Sequence, residues 1–302
     1  MTNALLIVSY GGPERAEEVL PFLQRLFAGK NVPPQRIDAA VKKYERCAEA
    51  GGHYSPLNNE CRKLIAGVQN EFKRKEKNVA VYWGNLFHKP LLEETLEQMH
   101  RSGISSADVF VTNAFTCNNR YCDALQSFNS GAINLKLLPQ PNRSRLFLEA
   151  QTDTLLTALA QDSLAQDLSD TGKRLVLFSA HSIPKNDASA AIYAAELNEA
   201  CRCIACLCRE DFDWELVYQS ASGSADNWLG PDIKERLRDI AGEGRCERVV
   251  VSPLGFFCEN METQYDLDVE AGQVCRELGL KYHRATAAGT SPKICRMIAD
   301  EF

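Results

Sequence analysis

The sequence predicts an α/β protein of two similar doubly wound, Rossmann-like lobes, each with a largely parallel sheet. Three observations lead there. The chain has 302 residues, and at roughly 150 residues per domain two lobes are the natural division. Short apolar runs alternate with long amphipathic stretches, the pattern of strands linked by crossover helices. Glycine, proline and polar residues follow the apolar runs at Tyr10–Pro13, His181–Pro184, Gln219–Gly223 and Gly255–Glu262. Ligands of such sheets lie beyond the carboxyl ends of the strands, so those four loops are where function is expected.

The elements follow in order. Ala4–Ser9 is a strand stopped by Gly11-Gly12-Pro13, and the next helix carries Val19, Leu20, Leu23, Leu26 and Phe27 at helical spacing until Gly29. Asn31–Pro34 is a turn, residues 58–75 a helix, and Val79–Trp83 a strand closed by Gly84. Pro90–Arg101 is helical and Ala107–Phe115 is a buried strand. Beyond Tyr121 the texture turns irregular, which divides the chain into lobes at residues 1–135 and 136–302. In the second lobe, Arg174–Ser179, Trp214–Ser220, Arg248–Ser252 and Leu280–Ala285 are strands. The intervening helices are the first part of Ser189–Cys208, then Ile233–Ala241 and Met261–Leu278, and Pro292–Phe302 closes the chain.

Composition narrows the function. With 34 basic and 40 acidic residues the formal charge is −6, against the basic field of a nucleic-acid binder. The mean hydropathy is −0.28. The first apolar run, Ala4–Val8, is too short for a signal sequence or a transmembrane segment, so a cytoplasmic protein is expected. In that reducing compartment the twelve cysteines are core fillers, catalytic groups or metal ligands, not a disulfide scaffold.

Four local features carry chemistry. Ser9-Tyr10-Gly11-Gly12-Pro13 lacks the spacing of a dinucleotide fingerprint and the lysine of a P-loop, and Tyr10 by itself reads as a packed aromatic. His181 stands just past a strand, where an imidazole can accept a proton or ligate a metal; a structural histidine is the competing reading. Glu262, Asp266 and Glu270 recur at i, i+4, i+8, which lines one helical face with carboxylates. That face is either solvated or a path of oxygen ligands for a divalent metal leading toward His181. Cys201-x-Cys203-x2-Cys206-x-Cys208 is the densest cysteine run. On an unbroken helix four such sulfurs point apart, so a shared centre requires the helix to stop near Ala200. Thiolate clusters select zinc or an iron–sulfur cluster, and small apolar packing is the alternative.

Together these loops resemble one family, the ferrochelatases. Leu5–Pro13 with Glu18–Leu23 is similar to that family's opening strand, glycine loop and first helix. Gly51-Gly52-His53-Tyr54-Ser55-Pro56-Leu57 is similar to its Gly-Gly-x-Ser-Pro-Leu loop with one extra residue. Tyr82–Asn85, Ser179–Pro184, Gln219-Ser220-x2-Gly223, Trp228–Pro231 and Pro253–Phe256 with Glu262–Asp268 complete the series over nearly the whole chain.

The resemblance implies chelatase-type lobes around a porphyrin cleft, a lyase that inserts Fe²⁺ into the macrocycle during haem biosynthesis. His181 and Glu262 match the catalytic and metal-handling pair, with Asp266 and Glu270 on the metal-guiding face. Tyr10, Lys30, Ser55 and Trp228 fall to the porphyrin. Tyr10 points to the coproporphyrin III type, with protoporphyrin IX use or a non-catalytic haem- or metal-sensing relative as alternatives. Asn260 stands where many members have histidine, and Ala28-Gly29-Lys30 replaces an Arg-Gly-Arg stretch expected to meet propionates. By the same resemblance Cys201, Cys203, Cys206 and Cys208 are expected to hold a 2Fe–2S cluster, with zinc second. Transient contacts with other haem-pathway enzymes are expected partners; nucleic acid is not.

Overall fold

A computed structural model describes residues 3–116, 120–127, 133–164, 173–222 and 225–302. The chain divides into two compact units. One comprises Met1–Asn113, Asn118–Gln140 and Gly289–Phe302, the other Ala114–Cys117 and Pro141–Ala288.

The first unit is built on β1 (Asn3–Ser9), β2 (Ala80–Asn85), β3 (Ser106–Val111) and β4 (Asn134–Leu137), all parallel in the order β2-β1-β3-β4. Ala4–Val8 is fully buried, which is why β1 reads as an unbroken apolar run and not as an alternation. Helices α1 (Ala16–Leu26), α2 (Pro34–Gly51), α3 (Leu57–Arg74), α4 (Leu92–Arg101) and α5 (Arg120–Ser127) complete the crossovers. Gly84 does not close β2, which runs on to Asn85. A Cβ at Gly84 would lie 2.8 Å from the Leu92 backbone, so the glycine serves the close approach of α4. Leu20 is an exposed leucine on α1, while Phe22 turns inward against Tyr44 of α2, ring centroids 5.9 Å apart. That pairing anchors α2, an 18-residue helix the sequence pattern did not announce because it buries only Tyr44 and Cys47.

The second unit repeats the topology with β5 (Arg174–His181), β6 (Asp213–Gln219), β7 (Arg248–Ser252) and β8 (Lys281–Arg284), parallel in the order β6-β5-β7-β8. Around it lie α6 (Arg145–Leu164), α7 (Ala190–Cys208), α8 (Ile233–Glu243) and a π-helix, Thr263–Ala271, that runs into α9 (Gly272–Leu278). Leu175, Leu177, Val217, Leu237, Val249, Val251, Leu267 and Cys275 form one apolar core on that face of the sheet. The sequence pattern also passed over α6. Phe147, Ala150, Leu155, Ala158 and Leu159 are all buried, and a helix apolar on several sides shows no amphipathic period.

Three expectations change. The helix α7 does not stop near Ala200 but continues through Cys208. Its buried stripe of Tyr193, Leu197, Ala200, Cys201, Ile204 and Cys208 keeps helical spacing to the end, so apolar burial carries the helix onward. Cys201 and Cys208 face the core about 10 Å apart along the axis, Cys203 is half-buried and Cys206 exposed. The four sulfurs do not converge, and the arrangement does not fit a four-thiolate centre. Among the described residues no group of three or more His, Cys, Asp or Glu side chains is placed to hold a metal ion. Next, the final helix, α10 (Pro292–Asp300), belongs with the first unit although it lies in the second lobe of the sequence division. It packs on α3, with Cys295 against Gly67, an ion pair between Lys75 and Asp300, and Phe302 edge-on to Phe72 at 5.2 Å. Finally, the expected Met261–Leu278 helix is a π-helix in its first half. Cys47, Cys61, Cys246, Cys258, Cys275 and Cys295 are buried, while Cys117 lies outside the described residues.

In a sheet of this order the chain leaves the first strand toward one side and later crosses to the other, opening a crevice at that strand's carboxyl end. Tyr10 occupies that place in the first unit and His181 in the second.

Candidate functional site

His181 ends β5, and its backbone is held from two sides. The Tyr193 hydroxyl of α7 donates to the His181 carbonyl at 3.1 Å, and the Gly255 N–H donates to the Ser179 carbonyl at 3.0 Å. Gly255 presses so closely on β5 that a Cβ there would lie 2.6 Å from the Ala180 Cα. The imidazole orientation is also fixed: Nδ1–H donates to the Ser182 carbonyl at 2.5 Å, since a carbonyl can only accept. This leaves Nε2 toward Glu262, 3.5 Å from Oε1. Metal-binding histidines are oriented by the same kind of second hydrogen bond. Burial favours the neutral imidazole, but the Glu262 carboxylate outweighs it, with Ser182 and Asp266 assisting, and pushes the pKa up to about 9.

Glu262 sits at the start of the π-helix, and the next carboxylate, Asp266, is buried. Both are held from the end of β6. Gln219 Nε2 donates to the Glu262 carbonyl at 3.2 Å and reaches Asp266 Oδ2 at 3.5 Å, while the Ser220 hydroxyl donates to the same oxygen. Ser220 has a left-handed backbone, φ 62°, which turns the chain there. Glu270, one further turn along, pairs with Lys234 Nζ at 2.6 Å.

The far side of the π-helix is locked by Arg284 at the end of β8. Its guanidinium donates to both Asp268 oxygens, at 2.6 and 2.8 Å, and to Glu259 Oε1 at 2.8 Å. Glu259 also accepts from Ala287 N at 2.7 Å and from the Thr263 hydroxyl at 2.7 Å. Burial alone would raise the Glu259 carboxyl, yet Arg284 and these donors hold it below the usual carboxylate range. Asn260 caps the helix reciprocally: its Oδ1 accepts from Thr263 N and its N–H donates to Thr263 Oγ1, both at 3.0 Å. The histidine-to-asparagine departure therefore has a local structural use.

Trp228 is half-buried on a loop joined to the His181 loop. The Ser182 hydroxyl donates to the Leu229 carbonyl at 2.6 Å, and Leu229 N donates to the Ile183 carbonyl at 3.0 Å. In the first unit, Tyr10 lies among aromatics, 5.3 Å from Phe87 and 5.1 Å from Tyr121 between ring centroids. Lys30 is exposed on the turn after α1. Ser55 is buried, its hydroxyl accepting from Leu57 N at 3.4 Å, and a Cβ on Gly12 would lie 2.8 Å from the Ser55 Cβ. Ser55 thus packs the glycine loop. His88 bonds Glu18 at 3.1 Å, also away from an open surface.

The structure gathers His181, Glu262, Asp266 and Glu270 on one side of the second unit's sheet, and places Tyr10, Lys30 and Ser55 in the other unit. Sequence reasoning assigned no role to Gln219, Ser220, Glu259, Arg284 or Lys234. Gln219 and Ser220 were within reach, because β6 ends beside β5; the remaining Gly223 of that loop lies outside the described residues. Arg284 gave a weaker signal, a lone arginine at a strand's carboxyl end.

Two parallel units of this order make a doubly wound fold that recurs in solved chelatase structures. SirB from Bacillus subtilis with Fe³⁺ shares the fold at a TM-score of 0.56 and 12% identity, with 99% of this chain and 94% of that one covered. CbiX, the terminal enzyme for siroheme biosynthesis in denitrifying bacteria, shares it at 0.51 and 14% identity, covering 98% and 96%. Sequence is more specific. The Ferrochelatase family profile matches residues 2–302. A ferrochelatase of Rhodopirellula baltica is 35% identical over 305 residues, 98% of this chain and 84% of the relative. The coproporphyrin III ferrochelatase of Nocardia farcinica is 35% identical over 315 residues, 99% and 86% of the two chains. That of Mycolicibacterium smegmatis is 32% identical over 309 residues, 99% and 88%. The chain belongs to the ferrochelatase family and is a porphyrin metal chelatase. Among the described residues no helix is long and apolar enough to cross a membrane.

Proposed function

We propose that this chain inserts ferrous iron into coproporphyrin III, yielding Fe-coproporphyrin in haem biosynthesis. The observation that carries the reading is the His181–Glu262 pair at the carboxyl end of β5, with Nε2 and Oε1 3.5 Å apart. Insertion requires two pyrrole N–H protons to leave as Fe²⁺ enters, so charge balances when both protons reach solvent. Glu262 is the carboxylate that accepts a pyrrole proton, and His181, held by Ser182, offers Nε2 to the metal or passes the proton on. Asp266 and Glu270 supply hard oxygen donors along the metal's approach. Tyr10 with its aromatic neighbours, Lys30 and Trp228 serve the porphyrin and its propionates, and Ser55 acts through the glycine loop it packs. A chain with twelve cysteines, most of the described ones buried, suits a reducing, cytoplasmic location.

Substrate choice is tested by steady-state metallation of the two porphyrins under identical conditions. Coproporphyrin III is expected to react with a kcat/KM about tenfold or more above protoporphyrin IX, a difference of ~1.4 kcal/mol in transition-state stabilisation. Equal or reversed rates would overturn the assignment.

A resident 2Fe–2S cluster, or zinc, at Cys201, Cys203, Cys206 and Cys208 needs the last two turns of α7 to unwind, which would strip Ile204 and Cys208 from the core. Burial pushes the Cys208 thiol up to about 11 and raises Cys201 further, away from the thiolate that metals bind. Protein purified anaerobically is therefore expected to be colourless, without stoichiometric sulfide or zinc. A cluster spectrum that disappears in Cys203→Ser would show instead that this helix end refolds around metal.

A further inference from the structure

We infer that Lys234 is a tethered cation occupying the outer end of the carboxylate line, and that an incoming divalent ion has to displace it. The inference rests on reading Asp266 and Glu270 as the metal's path. Lys234 is the second residue of α8, where its backbone N–H donates to the Asp232 side chain at 2.9 Å. A lysine in a first turn stands against the helix dipole, so the helix itself gains nothing from the charge. The ammonium instead crosses to the neighbouring element and meets Glu270 Oε2 at 2.6 Å, with both side chains about one-third or less exposed, 35% and 27%.

Further along the π-helix come Asp266, held by Ser220 and Gln219, and then Glu262 with His181. Three carboxylates in a row repel one another. Here the Lys234 ammonium on Glu270, with the Ser220 and Gln219 donors on Asp266, offsets part of that repulsion. The same pairing imposes a selection rule. A monovalent ion gains little by replacing an ammonium already in hydrogen-bond contact, whereas a divalent ion gains twice the Coulomb attraction at the same distance. Lys234 thus acts as a specificity-determining residue for the charge of the ion admitted, positioned by the Asp232 cap.

The test is binding of Mn²⁺ alone, by calorimetry or by the loss of its free paramagnetic signal, with steady-state kinetics on the same proteins. Lys234→Met preserves the length of the stem and removes the charge. It is expected to bind Mn²⁺ about fivefold more tightly and to lower the metal KM similarly, with the porphyrin KM unchanged. Lys234→Arg should restore wild-type values. A merely structural lysine would change the melting temperature and leave the metal KM where it is. Unchanged or weaker Mn²⁺ binding by a folded Lys234→Met protein overturns the inference. Glu270→Gln separates the layers. If it weakens Mn²⁺ binding while Lys234→Met has no effect, only the role of Lys234 is wrong; if it leaves metal binding and metal KM unaltered, the metal-path reading falls.

Discussion

Replacing His181 with alanine is expected to lower kcat for iron insertion about a thousandfold, within the range lost with a positioned acid–base group. The porphyrin KM should stay within about twofold of wild type, because uniform binding of the macrocycle is not what the imidazole supplies. The pH behaviour of the wild-type enzyme gives an independent check. With its pKa raised to about 9 by Glu262 against the effect of burial, His181 carries a proton at neutral pH in the metal-free protein. A metal that takes Nε2 must expel that proton, so the apparent metal KM should fall as pH rises, by up to about tenfold per pH unit for one proton, and level off near pH 9. Glu262→Gln removes the carboxylate that raises the pKa, so the inflection should move to lower pH. Unchanged turnover in His181→Ala, or a metal KM indifferent to pH, would remove His181 from the mechanism.

The second large effect concerns stability. Arg284→Met leaves Glu259 and Asp268 facing each other across an apolar side chain. The Arg284 side chain is 13% exposed and that of Glu259 15%, so the pair is largely shielded from water, and removing one partner of such a pair costs about 3 kcal/mol. The sign with pH follows from the direction of the shift. In the wild type the Glu259 pKa is depressed below its ordinary 4.5, so the pairing contributes stability above that pH and loses it as acid titrates the carboxyl. In Arg284→Met the deficit should therefore be largest at neutral pH and shrink as the stranded carboxylates take up protons. Urea titrations of both proteins at neutral and acidic pH measure this; a neutral-pH loss below about 1 kcal/mol would mean that Arg284 does not hold the π-helix.

Much of this architecture was legible because its cause is local. The buried Ala4–Val8 and Val249–Val251 segments read as apolar runs, and β5 ends on His181 itself. The spacing of Glu262, Asp266 and Glu270 also predicted one helical face. It could not show that i→i−5 hydrogen bonding, as from Gly272 N to the Leu267 carbonyl, replaces the ordinary ladder there. That choice depends on donors from elsewhere in the chain. Gln219 bonds the Glu262 carbonyl, and the Tyr282 hydroxyl bonds the Leu267 carbonyl at 2.9 Å. The cysteine run failed for the opposite reason. Its density suggested a loop, but the apolar stripe from Tyr193 to Cys208 is satisfied by helix, and burial prevailed over the pull of four adjacent thiols.

By itself the sequence determined the α/β class and the strand-end loops in which the candidate residues lie, because periodicity and strand-end position are properties of neighbouring residues. Only the tertiary structure decided which side chains meet. It turned His181 Nε2 toward Glu262, fastened the π-helix with Arg284 from a strand more than a dozen residues onward, set Lys234 against Glu270, and returned the last helix to the first unit. Those outcomes depend on pairings between residues far apart in the chain, where burial, charge and hydrogen bonding are settled by whatever the fold brings within reach.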